Sequence, residues 1–215
     1  MVSSLINVST ELANAVAEGL GMARVPPAMP TATQRKVLAE VDVSPALSLF
    51  ARPGDGKIAA RRIAILVADE VVGAQLLALH SGLTERGAVP RFVGVRLGPV
   101  QTSDGGRIEV DATLETSPGV LFDAVILPDG AGAVDKLRDG HAMEFIRDQF
   151  RHCKTILALG AGADLLNRAG AQPADVDGGA LRAGEAEDHA ATLSAFVVAI
   201  AKHRHFERDT DPPAA

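Results

Sequence analysis

Arg62-Ile63-Ala64-Ile65-Leu66-Val67-Ala68 is an unbroken apolar run. Such a run, without polar alternation, is the pattern of a strand covered on both faces. Gln75 to Arg86 follows with Leu76, Leu79 and Leu83 at helical spacing, and Gly87 ends it. Val89 to Val95 reads as a second strand. Val100 to Asp111 carries Asp104-Gly105-Gly106, the composition of a hairpin turn. Asp123-Ala-Val-Ile-Leu-Pro128 and Thr155-Ile-Leu-Ala-Leu159 repeat the buried-strand pattern. Helices are expected near His141–Phe150, at Asp164–Ala169 and over Ala190–Lys202. Strands alternating with helices predict an α/β domain over residues 58–206, a doubly wound, mostly parallel sheet in a three-layer α/β/α arrangement. Residues 207–215 are left as a short tail.

On the amino-terminal side the pattern changes. Ser9 can cap a short helix with Leu12, Ala15, Val16 and Leu20 on one face, ended by Gly19 and Gly21. Three turns of helix are marginal alone in water, so residues 1–22 read as the end of an upstream domain. Residues 23–57 contain Pro26, Pro27, Pro30, Pro45 and Pro53, which predicts an extended linker. Ser44-Pro45-Ala46-Leu47-Ser48-Leu49-Phe50 within it is apolar enough to dock on a surface.

Composition removes several function classes. The 215 residues include seven Phe but no Trp and no Tyr. The chain therefore has no tyrosinate to offer haem iron, and few platforms for stacking nucleic-acid bases. A net charge of −6 argues against a nucleic-acid partner. The one cysteine, Cys153, precludes an internal disulfide and suggests a reducing compartment. Met1-Val2-Ser3-Ser4 lacks the start of a signal peptide, and no apolar run approaches the roughly 18 residues that span a bilayer. The expectation is a soluble cytoplasmic protein with no membrane partner.

Ligands in such folds bind beyond the carboxyl ends of the strands. Ala68-Asp69-Glu70-Val71-Val72-Gly73 offers two carboxylates where a flavin phosphate would need hydroxyls and N–H groups, and Glu70 is best read as a solvated helix N-terminal acid. Leu159-Gly160-Ala161-Gly162-Ala163-Asp164 imitates a dinucleotide fingerprint. Leu165 stands at its third glycine, however, and Asp164 lies where pyrophosphate would sit, so a tight turn is the better reading. Leu127-Pro128-Asp129-Gly130 has the backbone of an oxyanion hole, yet no nucleophile goes with it. His203-Arg204-His205, if helical, point to opposite faces and make no metal pair. Cys153 precedes its strand, at the edge away from any site, and reads as structural.

Asp123-Ala-Val-Ile-Leu-Pro128-Asp129-Gly130, Met143-Glu-Phe-Ile-Arg147 and Ile156-Leu-Ala-Leu-Gly160-Ala-Gly162-Ala-Asp-Leu-Leu166 together resemble the PfpI/ThiJ branch of the class I glutamine-amidotransferase-like superfamily. The resemblance implies a flavodoxin-like sheet. Active members carry Cys-His-Gly-Pro at the strand-to-helix elbow. Here the cysteine position falls on Gly160, the histidine on Ala161, and the glycine is kept as Gly162. Their acidic partner falls near Val72, with Glu70 close by, and their Pro-Gly-Gly oxyanion turn is Pro128-Asp129-Gly130. The resemblance thus implies an elbow with nothing to attack with.

Leu5-Ile-Asn-Val8, Leu12–Gly21, the linker ending in Ser44-Pro45-Ala46-Leu47-Ser48, Arg91-Phe92-Val93 and the closing Lys202-His-Arg-His-Phe-Glu-Arg208 are similar to the carboxyl-terminal region of large-subunit haem catalases. That resemblance implies a parent enzyme that disproportionates hydrogen peroxide, is a homotetramer and binds haem upstream. It implies no cofactor or metal in this chain, and as partners the upstream core and neighbouring subunits. The domain itself would stabilise the tetramer or shape substrate access. The alternative is a free-standing chaperone-like or PfpI-type domain.

Overall fold

The chain divides into two bodies, Met1–Ser48 and Leu49–Ala215, and the division falls inside the proline-rich stretch. The computed structural model describes residues 1–30, 44, 56–171, 178–184, 189–206 and 208. Most of the expected linker, and the Ser44–Phe50 docking segment beyond Ser44, lie outside the described residues.

In the first body, α1 (Val2–Leu5) and α2 (Thr10–Gly19) pack together. Ser9 caps α2 as expected, its hydroxyl accepting the Leu12 N–H at 3.2 Å. The buried face is not the expected one. Ala13 and Ala17 are buried with Val2, against Leu5, Ile6, Val16 and Val25, whereas Leu12 and Leu20 are 45% and 58% exposed and Ala15 is exposed. The cause is the return of the chain after Gly21, which takes a left-handed φ of 66°. The Met29 N–H then bonds the Ser3 carbonyl at 2.9 Å, and the Asn7 amide bonds the Met29 carbonyl at 2.7 Å. A backbone this close selects the small-residue face.

The second body runs β1 (Arg62–Val67), α3 (Gly73–Glu85), β2 (Val89–Gly94), β3 (Gly98–Gln101), β4 (Arg107–Val110), β5 (Ala112–Thr113), β6 (Ala124–Leu127), α4 (Ala131–Lys136), α5 (Gly140–Arg151), β7 (Thr155–Leu159), α6 (Ala163–Arg168), β8 (Ala180–Ala183) and α7 (His189–Ala201). Six strands form one parallel sheet in the order β5-β2-β1-β6-β7-β8. β3 and β4 form the expected antiparallel hairpin. From Ile63 to Val67 every residue of β1 is fully buried, the consequence of an apolar run covered on both faces. Ile65 is in register with Phe92 on one side and Ile126 on the other. β5, β8 and α4 have two, four and six residues, too few to show a period in sequence. The strand order reverses between β1 and β6, which places the crevice of the sheet at their carboxyl ends.

The end of the chain departs from expectation. Lys202 to Arg208 carries a basic run, but α7 stops at Ala201 and the chain reverses at His203, whose φ is 70°. His205 and Arg208 are then 2% and 4% exposed at the amino edge of the sheet. His203 and His205 are therefore not helical neighbours.

Candidate functional site

β7 leaves the sheet at Leu159 and turns through Gly160, whose φ is 42°, into a single 3₁₀ turn and α6. β6 ends beside it and delivers Pro128 and Asp129. The Asp129 carboxylate is 5% exposed, and its Oδ1 accepts the N–H of Gly130 at 2.7 Å and, across the crevice, the N–H of Ala161 at 2.8 Å. A Cβ built on Gly160 would lie 2.3 Å from the Asp129 carboxyl carbon. The carboxylate therefore fills the space that a side chain at position 160 would enter. The Asp129 carbonyl also accepts the Val72 N–H at 3.1 Å, tying the loop after β1 to the same point.

The chemical consequence is direct. Backbone N–H groups aimed at an elbow can stabilise an oxyanion. Here the Gly130 and Ala161 N–H groups already serve a buried carboxylate, which would repel a second anion. Sequence reading placed Asp129-Gly130 in a turn and Gly160-Ala161-Gly162 in another, but missed the side chain that joins them. Nothing in the spacing of residues 129 and 161 signals that contact.

Glu70 is solvated as expected, its side chain 66% exposed, but it stands before the helix rather than at its N-terminus. α3 begins at Gly73, and its cap, Val72, contributes no side-chain hydrogen bond. Glu70 takes a φ of 73°, its N–H bonds the Gln101 carbonyl at 2.8 Å, and its carboxylate pairs with Lys136. Asp69 accepts the Gln101 N–H at 2.9 Å through Oδ1 and meets Arg96 at 3.6 Å through Oδ2. Lys136 also donates to the Asp69 carbonyl at 3.3 Å. Of the two positions weighed for an acid, Val72 is apolar and Glu70 is committed to Lys136. At the mouth of α6, Asp164 pairs with Arg138 at 2.7 Å and Arg168 at 3.6 Å, so the place of a pyrophosphate holds an ion-paired acid.

The opposite edge of the sheet carries the buried cations. Lys154, 3% exposed, donates to the carbonyls of Gly119 at 2.9 Å, Phe122 at 2.6 Å and Val120 at 3.4 Å. Arg208 donates to the Lys154 carbonyl at 2.6 Å and lies 4.9 Å from the Phe150 ring centroid. The His205 N–H bonds the Cys153 carbonyl at 2.7 Å, and its ring meets the Thr155 hydroxyl at 3.1 Å. Arg61 bridges Asp123, at 3.3 Å, and the His203 ring. Burial, helped by the charge of Arg204, pulls the Lys154 ammonium down to about 8. Burial likewise lowers His203, with Arg204 and Arg61 adding to it. Cys153 is buried here, away from the elbow. Among the described residues no three His, Cys, Asp or Glu side chains are grouped so as to hold a metal ion.

Residues 59–210 match the family described as the C-terminal domain found in long catalases. The chain is 37% identical over 98% of its length to catalase HPII of Mycobacterium avium, and 35% identical over 97% to catalase C of Rhizobium meliloti. It spans only 30% and 29% of those proteins. Among solved structures, a two-domain protein from Anabaena variabilis with DJ-1/ThiJ/PfpI-like and ferritin-like domains superposes with a TM-score of 0.60 at 21% identity. That match covers 64% of this chain and 47% of that one. A ThiJ/PfpI domain protein from Brachyspira murdochii gives 0.59 at 14% identity, covering 66% of this chain and 97% of that one. These two likenesses establish the flavodoxin-like fold alone.

Proposed function

The chain belongs to the family of C-terminal domains found in long catalases, and from that membership we propose that it serves such an enzyme as a non-catalytic domain. The parent polypeptide disproportionates hydrogen peroxide to water and oxygen, with haem held in a core upstream of this domain. The chain contains no tyrosine, so a tyrosinate ligand to the haem iron comes from that core. The domain's partners are the core and the neighbouring subunits of a homotetramer, which it stabilises or to which it shapes substrate access. The setting is cytoplasmic, in keeping with a single cysteine that precludes an internal disulfide; among the described residues no helix is long and apolar enough to cross a membrane.

One observation carries the non-catalytic reading: the Asp129 carboxylate stands where an elbow nucleophile would project from position 160. Gly160, Ala161 and Gly162 are the remnant of a nucleophile turn, Val72 or Glu70 the remnant of its acid, and Asp129-Gly130 the remnant of its oxyanion turn. A hydrolase of the PfpI type would have to recruit Cys153, which is buried at the far edge. The exposed Leu12, Leu20 and Met22 of the first body suit burial against the upstream polypeptide.

The test is an immunoblot of source cells with antibody against this domain, beside a native gel stained for peroxide decomposition. A band much larger than the chain's 22.3 kDa, migrating with the activity, is expected. A band at 22.3 kDa apart from the activity would overturn the proposal. The isolated chain is expected to show neither a Soret band nor peroxide turnover.

A further inference from the structure

On the β2 side of β1, the carboxyl edge opens into a cavity of about 340 Å³. It adjoins the strand-order reversal at which folds of this kind bind ligands, and its size is that of a small-molecule site. Val95, half exposed, gives it an aliphatic wall with the edges of Ala68 and Val100, over the fully buried Val67, and Asp69, Arg96 and Lys136 stand around it. The elbow residues Gly160 to Gly162 do not line it.

The polar groups differ in what they have left to offer. Asp69 is held by the Gln101 N–H, and Lys136 by the Glu70 carboxylate and the Asp69 carbonyl. Arg96 meets Asp69 at 3.6 Å, longer than a charge-assisted hydrogen bond, and its side chain is 81% exposed. A guanidinium has five N–H donors and suits a carboxylate in a bidentate fork. The site therefore combines an aliphatic wall with one cation able to turn onto a ligand. A second negative charge on that ligand would face Asp69 and Glu70.

We propose that this cavity binds a small aliphatic monocarboxylate, with its hydrocarbon on Val95 and the edges of Ala68 and Val100 and its carboxylate on Arg96. The site is separate from the filled elbow and independent of the domain's role in a larger enzyme.

The test is a titration of the ¹⁵N-labelled 215-residue chain with sodium hexanoate at constant ionic strength, followed by amide chemical shifts. Saturable shifts are expected at Val67, Ala68, Val95, Arg96 and Val100, with a Kd of about 0.1–2 mM. Succinate and 1-hexanol are each expected to bind about tenfold more weakly. Arg96→Gln should weaken hexanoate about tenfold and leave 1-hexanol unchanged. No saturable shift up to about 20 mM would overturn the proposal. So would shifts confined to Gly130 and Gly160–Gly162, or hexanoate binding that Arg96→Gln leaves intact.

Discussion

The carboxyl edge of the sheet buries the carboxylate of Asp129, and the amino edge buries the ammonium of Lys154. Both charges are satisfied largely by backbone. Asp129 takes N–H groups from Gly130 and Ala161, whereas Lys154 gives hydrogen bonds to the carbonyls of Gly119, Val120 and Phe122. Each joins the same two strands at its own end: Asp129 ties the end of β6 to the turn after β7, and Lys154 ties the start of β7 to the approach to β6. The signs suit their places. N–H groups at the start of α6 face the carboxyl edge, and α5 delivers its carbonyl end to the amino edge. The edge where this fold can do chemistry is thus built here like the edge that only holds the sheet together.

Each edge can be tested by removing its buried charge. Lys154→Met leaves the Phe122 carbonyl without its buried donor, and is expected to cost about 3 kcal/mol, or about 6–12 °C in Tm. Differential scanning calorimetry reads this directly. The same variant should lose an alkaline signature. Because the folded Lys154 titrates near 8 and the unfolded side chain near 10.5, the unfolded state binds more protons between those values. Stability of the unaltered chain should therefore rise from pH 8 toward 10.5. A chain whose stability falls over that range would contradict the buried ammonium.

Gly160→Ala forces a methyl group onto the Asp129 carboxylate at a left-handed φ, for an expected loss of about 2 kcal/mol. Combining it with Asp129→Gly should recover part of that loss, because the clash is gone. Urea unfolding of the four chains in this cycle gives the coupling; additive losses would mean that the two residues do not contend for one space. Asp129→Asn keeps the shape and removes the charge, so about 1 kcal/mol is expected from weaker acceptance of two N–H bonds.

The smallest effect belongs to His203. Its folded imidazole resists protonation, so the unfolded state binds the proton first as pH falls below 6.5. Stability is expected to decline from there with acid, and the decline should be shallower in His203→Asn. Equal slopes in both chains would remove His203 from the amino-edge cluster.

Much of the fold was legible because the runs at 62–68, 123–128 and 155–159 are too apolar for anything but strands buried on both faces. Among the helices, α3 announced itself by the spacing of Leu76, Leu79 and Leu83. The buried face of α2 was not legible: its leucines formed the obvious stripe, and only the return of the chain through Val25 and Met29 selects Ala13 and Ala17. The burial within the closing basic run was not legible, since charge ordinarily means solvent; His205 and Arg208 are drawn inward by the carbonyls of Cys153 and Lys154. At the carboxyl edge, family resemblance drew attention to Gly160, Ala161 and Gly162, which form the turn after β7. The carboxylate that fills the elbow comes from another strand, and no local pattern encodes it.

The most direct test compares the proposed parent catalase polypeptide with one lacking residues 58–215, measuring turnover per haem and half-life of activity at elevated temperature. Turnover per haem unchanged within about twofold, with a shortened half-life, is the expected result. Loss of turnover per haem in a truncated enzyme that still assembles would assign the domain to substrate access rather than to stability, and peroxide turnover by the isolated domain would contradict the non-catalytic reading.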